Sequence, residues 1–203
     1  MALAPKFKRM APGDRAAELV QAGLAVLAQG GITAFTIDNI CTKAGASRGL
    51  IGHHFGGKDG LLAACYAAAY APLLQVIAQG PDPPPLPELI DELLSDRQFR
   101  RDGLNIWLAL WGEIAVNPTL QAEHVKHYQR YEEAIANAIR SFAAKTGRVV
   151  DAHGLAAALI ALLDGLWLQM CIAPAKMSRD KARAAIVALL EPHLGAFGVQ
   201  HLT

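Results

Sequence analysis

From Asp14 to about Gln29 the apolar residues Ala17, Val20, Leu24 and Leu27 return at steps of three and four, the spacing of one helix face. Gly30-Gly31 is a stop signal. A short helix is predicted after Thr36, a good N-cap, with Ile37 and Ile40 on its inner face. Ala44-Gly45-Ala46 breaks it after two turns, and Ser47 is placed to cap a third helix running to about His54. Gly56-Gly57 ends that one, and a longer helix is predicted from Lys58 to about Ala78. The stretch Gly80-Pro81-Asp82-Pro83-Pro84-Pro85 is the strongest linker signal. Beyond it, helices are predicted over about 86–95, 98–116, 118–144, 151–172 and 179–197. Their ends have physical causes: Asn117-Pro118 sets a cap before a first-turn proline, Thr146-Gly147 and Pro174 close helices, and Ser178 caps the last. No segment alternates as a strand would. The pattern predicts an all-α chain, with a three-helix head over residues 1–57 and a helical bundle over 58–203.

Two helices of two turns each are too short to be stable alone. Joined by Ala-Gly-Ala and packed on a third helix they make a helix-turn-helix, whose second helix lies in the DNA major groove. Helical phase fits. Ile51 and Phe55 share one side, and Arg48, Gly49, Gly52 and His53 occupy the other. Two glycines on an exposed helix face cost roughly 1 kcal/mol each relative to alanine. Bare backbone there allows close approach to the groove floor and leaves Arg48 as the principal base reader, with guanine as the matching base. The alternative is a structural helix that tolerates its glycines. Thr36 and Ser47 sit at helix N-termini, where free N–H groups favour phosphate.

The whole chain carries a net charge of only +1, which names no partner. Its distribution says more: residues 1–60 hold seven Lys/Arg against four acids, and the remainder twelve against fourteen. A basic head on a slightly acidic body fits a nucleic-acid module joined to something else. Lys6, Lys8 and Arg9 are either a backbone-binding arm or a solvated tail. Cys41, Cys65 and Cys171 are scattered and odd in number, which argues against disulfides and zinc and for a reducing cytoplasm. All three read as small core residues. The apolar tract Leu155–Ala173 is interrupted by Asp164 and Gln169 and reads as a buried bundle helix, so no membrane role is expected.

Residues 33–62, TAFTIDNICTKAGASRGLIGHHFGGKDGLL, resemble the signature of the TetR family of repressors. The resemblance implies phosphate contacts from Thr36, Ser47, His53, His54 and Lys58, and base-facing positions at Arg48 and Gly49. Gly52 stands where the family usually has an aromatic residue, so the operator sequence does not carry over. More weakly, Trp107-Leu108-Ala109-Leu110-Trp111-Gly112 and the run from Leu159 to Leu168 resemble the choline-responsive BetI branch. That likeness implies a homodimer with an effector pocket in each subunit.

From the residues themselves, Gly154, Ala157, Ala158, Ala161 and Gly165 form a small-residue stripe. With the last helix's Ala185, Ile186, Leu189 and Leu190 it suggests a four-helix contact across a two-fold axis, or else packing inside one subunit. Two heads about 34–36 Å apart can read palindromic double-stranded DNA. Trp107, Trp111, Tyr128, Tyr131 and Trp167 are candidate pocket walls, with Glu113 and Asp164 as counter-charges. Such a site suits a quaternary ammonium through cation–π attraction. The same aromatics could equally be core, and Asp164 a structural partner.

An enzyme is the rival class, but no phosphate loop, HExxH or GxSxG motif accompanies the histidines. His124 and His127, beside Glu123, read as solvated helix residues, and neither a metal nor another cofactor is expected. A helical ligand-binding or scaffold protein with a weakened DNA head is the remaining alternative, which Gly52 keeps open.

Overall fold

A computed structural model describes residues 12–77, 84–96 and 101–196. Lys6, Lys8, Arg9, most of the Gly80–Pro85 stretch and the side chain of Cys171 lie outside what is described. Among the described residues the chain forms nine helices and no strand. They are α1 (Pro12–Ala34), α2 (Ile37–Ala44), α3 (Arg48–Phe55), α4 (Lys58–Ile77), α5 (Leu86–Leu93), α6 (Arg101–Ile114), α7 (Pro118–Lys145), α8 (Ala152–Ile172) and α9 (Arg179–Leu194).

The helix ends follow the local chemistry. Thr36 Oγ1 accepts the Asn39 N–H at 3.2 Å, and Gly45 closes α2 in the left-handed region at φ 57°. Asn117, Asp151 and Ser178 accept the N–H groups of Leu120, Gly154 and Lys181 at the starts of α7, α8 and α9. Ser47 departs from the prediction. It holds the N-cap position of α3 with extended backbone, but its side chain makes no capping bond. At Gly30-Gly31 the chain breaks at Gly31 and then adds a last helical turn to Ala34.

In the head, Leu19, Val26, Leu27, Phe35, Ile40, Ile51 and Leu61 form the core. The predicted inner face of α1 is only partly right: Ala17 is exposed, Val20 and Leu24 are half-buried, and Leu19, Ala22 and Val26 are buried instead. The reason is that α1 packs against three neighbours, α2, α4 and α6, so its apolar positions spread around the helix. The Arg15 guanidinium donates to Gly45 O at 2.6 Å, tying α1 to the turn between α2 and α3.

In the body, α7 packs on α4 and α8, and α8 on α9. An Arg183–Asp91 ion pair clips α9 to α5. Ile186 and Leu190 of α9 are fully buried within the chain, whereas Ala185 and Leu189 are half-buried. The Gly154, Ala157, Ala158, Ala161 and Gly165 stripe of α8 is exposed throughout. α4 and α8 are long and apolar enough to cross a membrane, yet each spends one face on the core.

α4 joins the head's share of the core to the body's, the two forming one continuous cluster. Its Leu61, Leu62 and Cys65 are buried near the head, and Tyr66, Tyr70 and Leu73 are buried in the body. The start of α4 is seated directly on the end of α3: a Cβ at Gly60 would lie 1.9 Å from the Phe55 carbonyl oxygen. Backbone cannot move aside as a flexible side chain can. Gly60→Ala is therefore expected to destabilise the fold by about 1–3 kcal/mol. Gly103→Ala in α6, where a Cβ meets nothing within 4 Å, should be neutral or stabilising. Urea unfolding of the two variants checks the contrast.

Candidate functional site

The face of α3 presented to solvent carries Arg48, Gly49, Gly52 and His53, all exposed, while Ile51 is buried and Phe55 packs against the core. Thr36, Ser47 and Lys58 are exposed on the same head, and His54 is half-buried. A Cβ at Gly49 or Gly52 would meet nothing within 4 Å, so no internal packing demands glycine at either position. Arg48 is directed outward, its side chain 74% exposed, and it forms an ion pair with Asp38 of α2. Because Ser47 Oγ makes no capping bond, its hydroxyl keeps its hydrogen-bonding capacity for another partner.

A second feature lies within the body, between α4, α6, α7 and α8. There an aromatic cavity is lined by Tyr66, Tyr70, Leu73, Trp107, Trp111, His124, Tyr128, Tyr131, Asp164 and Trp167. Its free volume is about 20 Å³, room for about one water molecule. The rings meet edge to face: Tyr66 and Trp107 at 5.8 Å and 89°, Tyr70 and Trp107 at 5.0 Å and 86°, Tyr70 and Tyr131 at 6.3 Å and 78°. Such contacts align the positive edge of one ring with the negative face of the next. Tyr66 Oη and His124 Nδ1 share a hydrogen bond of 2.8 Å.

All six residues predicted for an effector site thus come together here, with Asp164 as the carboxylate among them. Glu113 is not among the lining residues. Tyr66, Tyr70, Leu73 and His124 are additions that sequence reasoning missed. Tyr66 and Tyr70 stand four apart, the spacing of one helix face, and that signal was available.

His124 and His127 overturn the expectation of solvated helix residues. His124 lines the cavity, and His127 is buried, its ring stacked on Tyr70 at 5.6 Å and 20°. His127 Nε2 lies 3.3 Å from a Glu123 carboxylate oxygen without forming a hydrogen bond. Burial lowers the pKa of both histidines and favours their neutral forms. Among the described residues, no group of three or more His, Cys, Asp and Glu is placed to hold a metal. Cys41 and Cys65 are buried thiols, as expected, and burial pushes the Cys65 thiol up to about 12.

The Asp164 carboxyl is pushed up from 3.8 to about 6 by burial alone. Its neighbours offer π-faces and phenols rather than cations. An ionised carboxylate in this setting is poorly solvated, and a positive ligand would restore what it lost. A raised carboxyl pKa means that the fold favours the protonated form. The stabilisation is complete below the unfolded value of 3.8 and is lost as pH rises through about 6. Asp164→Asn should therefore stabilise the ligand-free protein by on the order of 2 kcal/mol at about pH 8, with the gap closing below about pH 4. Urea titrations across that range provide the measurement.

Two family models match the chain. One, described as bacterial regulatory proteins of the tetR family, covers residues 19–65, and the other, a BetI-type transcriptional repressor C-terminal domain, covers 85–195. The HTH-type transcriptional regulator BetI 1 of Chromohalobacter salexigens is 31% identical over 89% of this chain and 90% of its own. BetI of Stenotrophomonas maltophilia is 27% identical over 90% of this chain and 94% of its own. Among solved structures, a candidate transcriptional regulator from Pseudomonas aeruginosa PAO1 superposes with a TM-score of 0.80 at 29% identity, covering 92% of this chain and 93% of that one. A candidate regulator from Saccharomonospora viridis, solved in complex with choline, has the same fold at a TM-score of 0.70 and 24% identity, over 88% and 96% of the two chains.

Proposed function

This chain belongs to the TetR family of DNA-binding transcriptional regulators, with a BetI-type C-terminal domain, and from that footing we propose a homodimeric repressor released from operator DNA by a quaternary ammonium effector such as choline. The observation that carries the effector reading is the aromatic cavity with a single carboxylate, Asp164, among its lining residues. Tryptophan and tyrosine faces attract a cation that cannot donate hydrogen bonds, and a desolvated carboxylate adds charge at short range. The choline complex of the Saccharomonospora viridis structure supports the same ligand class.

DNA is read by α3, with Arg48 on a base edge and Thr36, Ser47, His53, His54 and Lys58 on phosphates. Gly49 and Gly52 let the α3 backbone approach the groove floor. The exposed small-residue stripe of α8, together with the outer edge of α9, is the surface on which a second subunit packs. A dimer then offers two recognition helices to successive major grooves about 34–36 Å apart. The protein acts in the cytoplasm on double-stranded DNA.

Release follows from the state of the cavity. At about 20 Å³ it is too small for a quaternary ammonium, so binding requires its walls to separate. Two of those walls, Tyr66 and Tyr70, are on α4, whose first turn abuts the end of α3. A cavity propped open therefore moves α4 and resets the spacing of the two heads. The effector binds the open state more tightly and shifts the population away from the DNA-fitting one.

Mobility shift with the DNA upstream of the protein's own gene tests the head. Arg48→Ala should cut the preference for that DNA over a scrambled duplex by about 1–3 kcal/mol. A loss that is uniform across both duplexes would overturn the base-reading role. Gly49→Ala should raise stability by up to about 1 kcal/mol while weakening operator binding. A thermal-shift titration tests the cavity: choline should raise the melting temperature of the wild type and lose most of that effect on Asp164→Asn. No response to choline, betaine aldehyde or tetramethylammonium would remove the effector reading.

A further inference from the structure

Among the polar groups of the cavity wall, Asp164 is the one that answers a positive charge in the proposed function, and Tyr66 Oη is engaged by His124 Nδ1. Tyr131 is 1% exposed, and its buried hydroxyl makes no hydrogen bond among the described residues. A buried hydroxyl without a partner is costly, and phenylalanine would fill nearly the same space without that cost. The ring is held in place, edge-on to Tyr70 at 6.3 Å and 78°, so the hydroxyl cannot easily swing out to water.

We propose that the Tyr131 hydroxyl is a specificity-determining group, selecting cations that also carry a hydrogen-bonding oxygen over purely alkyl cations of the same shape. This rests on the reading of the cavity as a quaternary ammonium site and goes beyond it by naming a second recognition element. The aromatic faces and Asp164 hold any compact cation and do not ask what else it bears. A site that buries a hydrogen-bonding group discriminates against an analogue that cannot pair with it, because that group is then left unsatisfied in the complex. Burial pushes the phenol pKa well up, so Tyr131 stays protonated and can both donate and accept. It adds no charge of its own beside Asp164.

Isothermal titration calorimetry of the full chain with choline and with n-propyltrimethylammonium, in which a methyl replaces the hydroxyl, isolates this effect. The wild type should bind choline about tenfold more tightly than its alkyl isostere. Tyr131→Phe should bring that ratio to about one, through loss of choline affinity with little change for the alkyl cation. Its melting temperature should match or exceed that of the wild type, since the substitution removes an unsatisfied group. Equal affinities in the wild type would overturn the proposal without any variant, as would a Tyr131→Phe protein that keeps the wild-type ratio. If neither cation binds the wild type, the cavity reading itself fails and this inference fails with it.

Discussion

Burial of α4 on both of its ends is the constraint on which the other features depend. At its start, Gly60 admits the Phe55 carbonyl so closely that even one methyl group would collide with it. About two and three turns later, Tyr66 and Tyr70 are walls of the body's cavity. A helix resists bending because each turn is hydrogen-bonded to the next. In the proposed release mechanism, displacement at the cavity would therefore be felt at the head, without any need for a longer chain of contacts. Pro72 lies just past Tyr70 and cannot donate to the Ala68 carbonyl, so any compliance in α4 falls on the side away from the DNA.

Further constraints arise from charge. An acidic side chain among three tryptophans and four tyrosines is a poor choice for a structural core, because its ionised form loses hydration that rings cannot replace. The Asp164 carboxyl accordingly resists ionisation. In the proposed sensor the same feature is an advantage: the closed cavity holds a poorly solvated carboxylate, and a cation that enters would relieve it while holding the walls apart. Burial favours the neutral forms of the histidines beside Tyr66 and Tyr70, and under the proposed function a protonated imidazole there would compete with a cationic ligand for Asp164.

On the head, the open space around Gly49 and Gly52 has a related meaning. Nothing inside the protein requires them to be small, and both lower the stability of a helix that is only eight residues long. A cost with no internal compensation is best understood as serving an external contact. The Arg48–Asp38 ion pair bridges α3 and α2 at the surface, where exposure keeps it weak, so the proposed exchange for a base edge would cost little.

The amino-acid sequence alone determined the elements whose causes are local. Thr36, Gly45, Asn117, Asp151 and Ser178 mark helix ends by bonds made within a few residues, and the two-sided phase of α3 follows from helical periodicity. The short helix pair and the exposed face of its second helix were legible for that reason. Tertiary structure alone decided which faces are spent inside. α1 touches three partners, so a single apolar stripe was the wrong expectation. α7 turns His124 and His127 inward because α4 crosses it there, although three-residue spacing beside Glu123 looks solvated when read along one helix. Tyr66, Tyr70, Trp107, Tyr131 and Asp164 belong to four helices far apart in the chain, and no local rule brings them together. Their meeting depends on how those helices cross, which is set by the packing of the whole body.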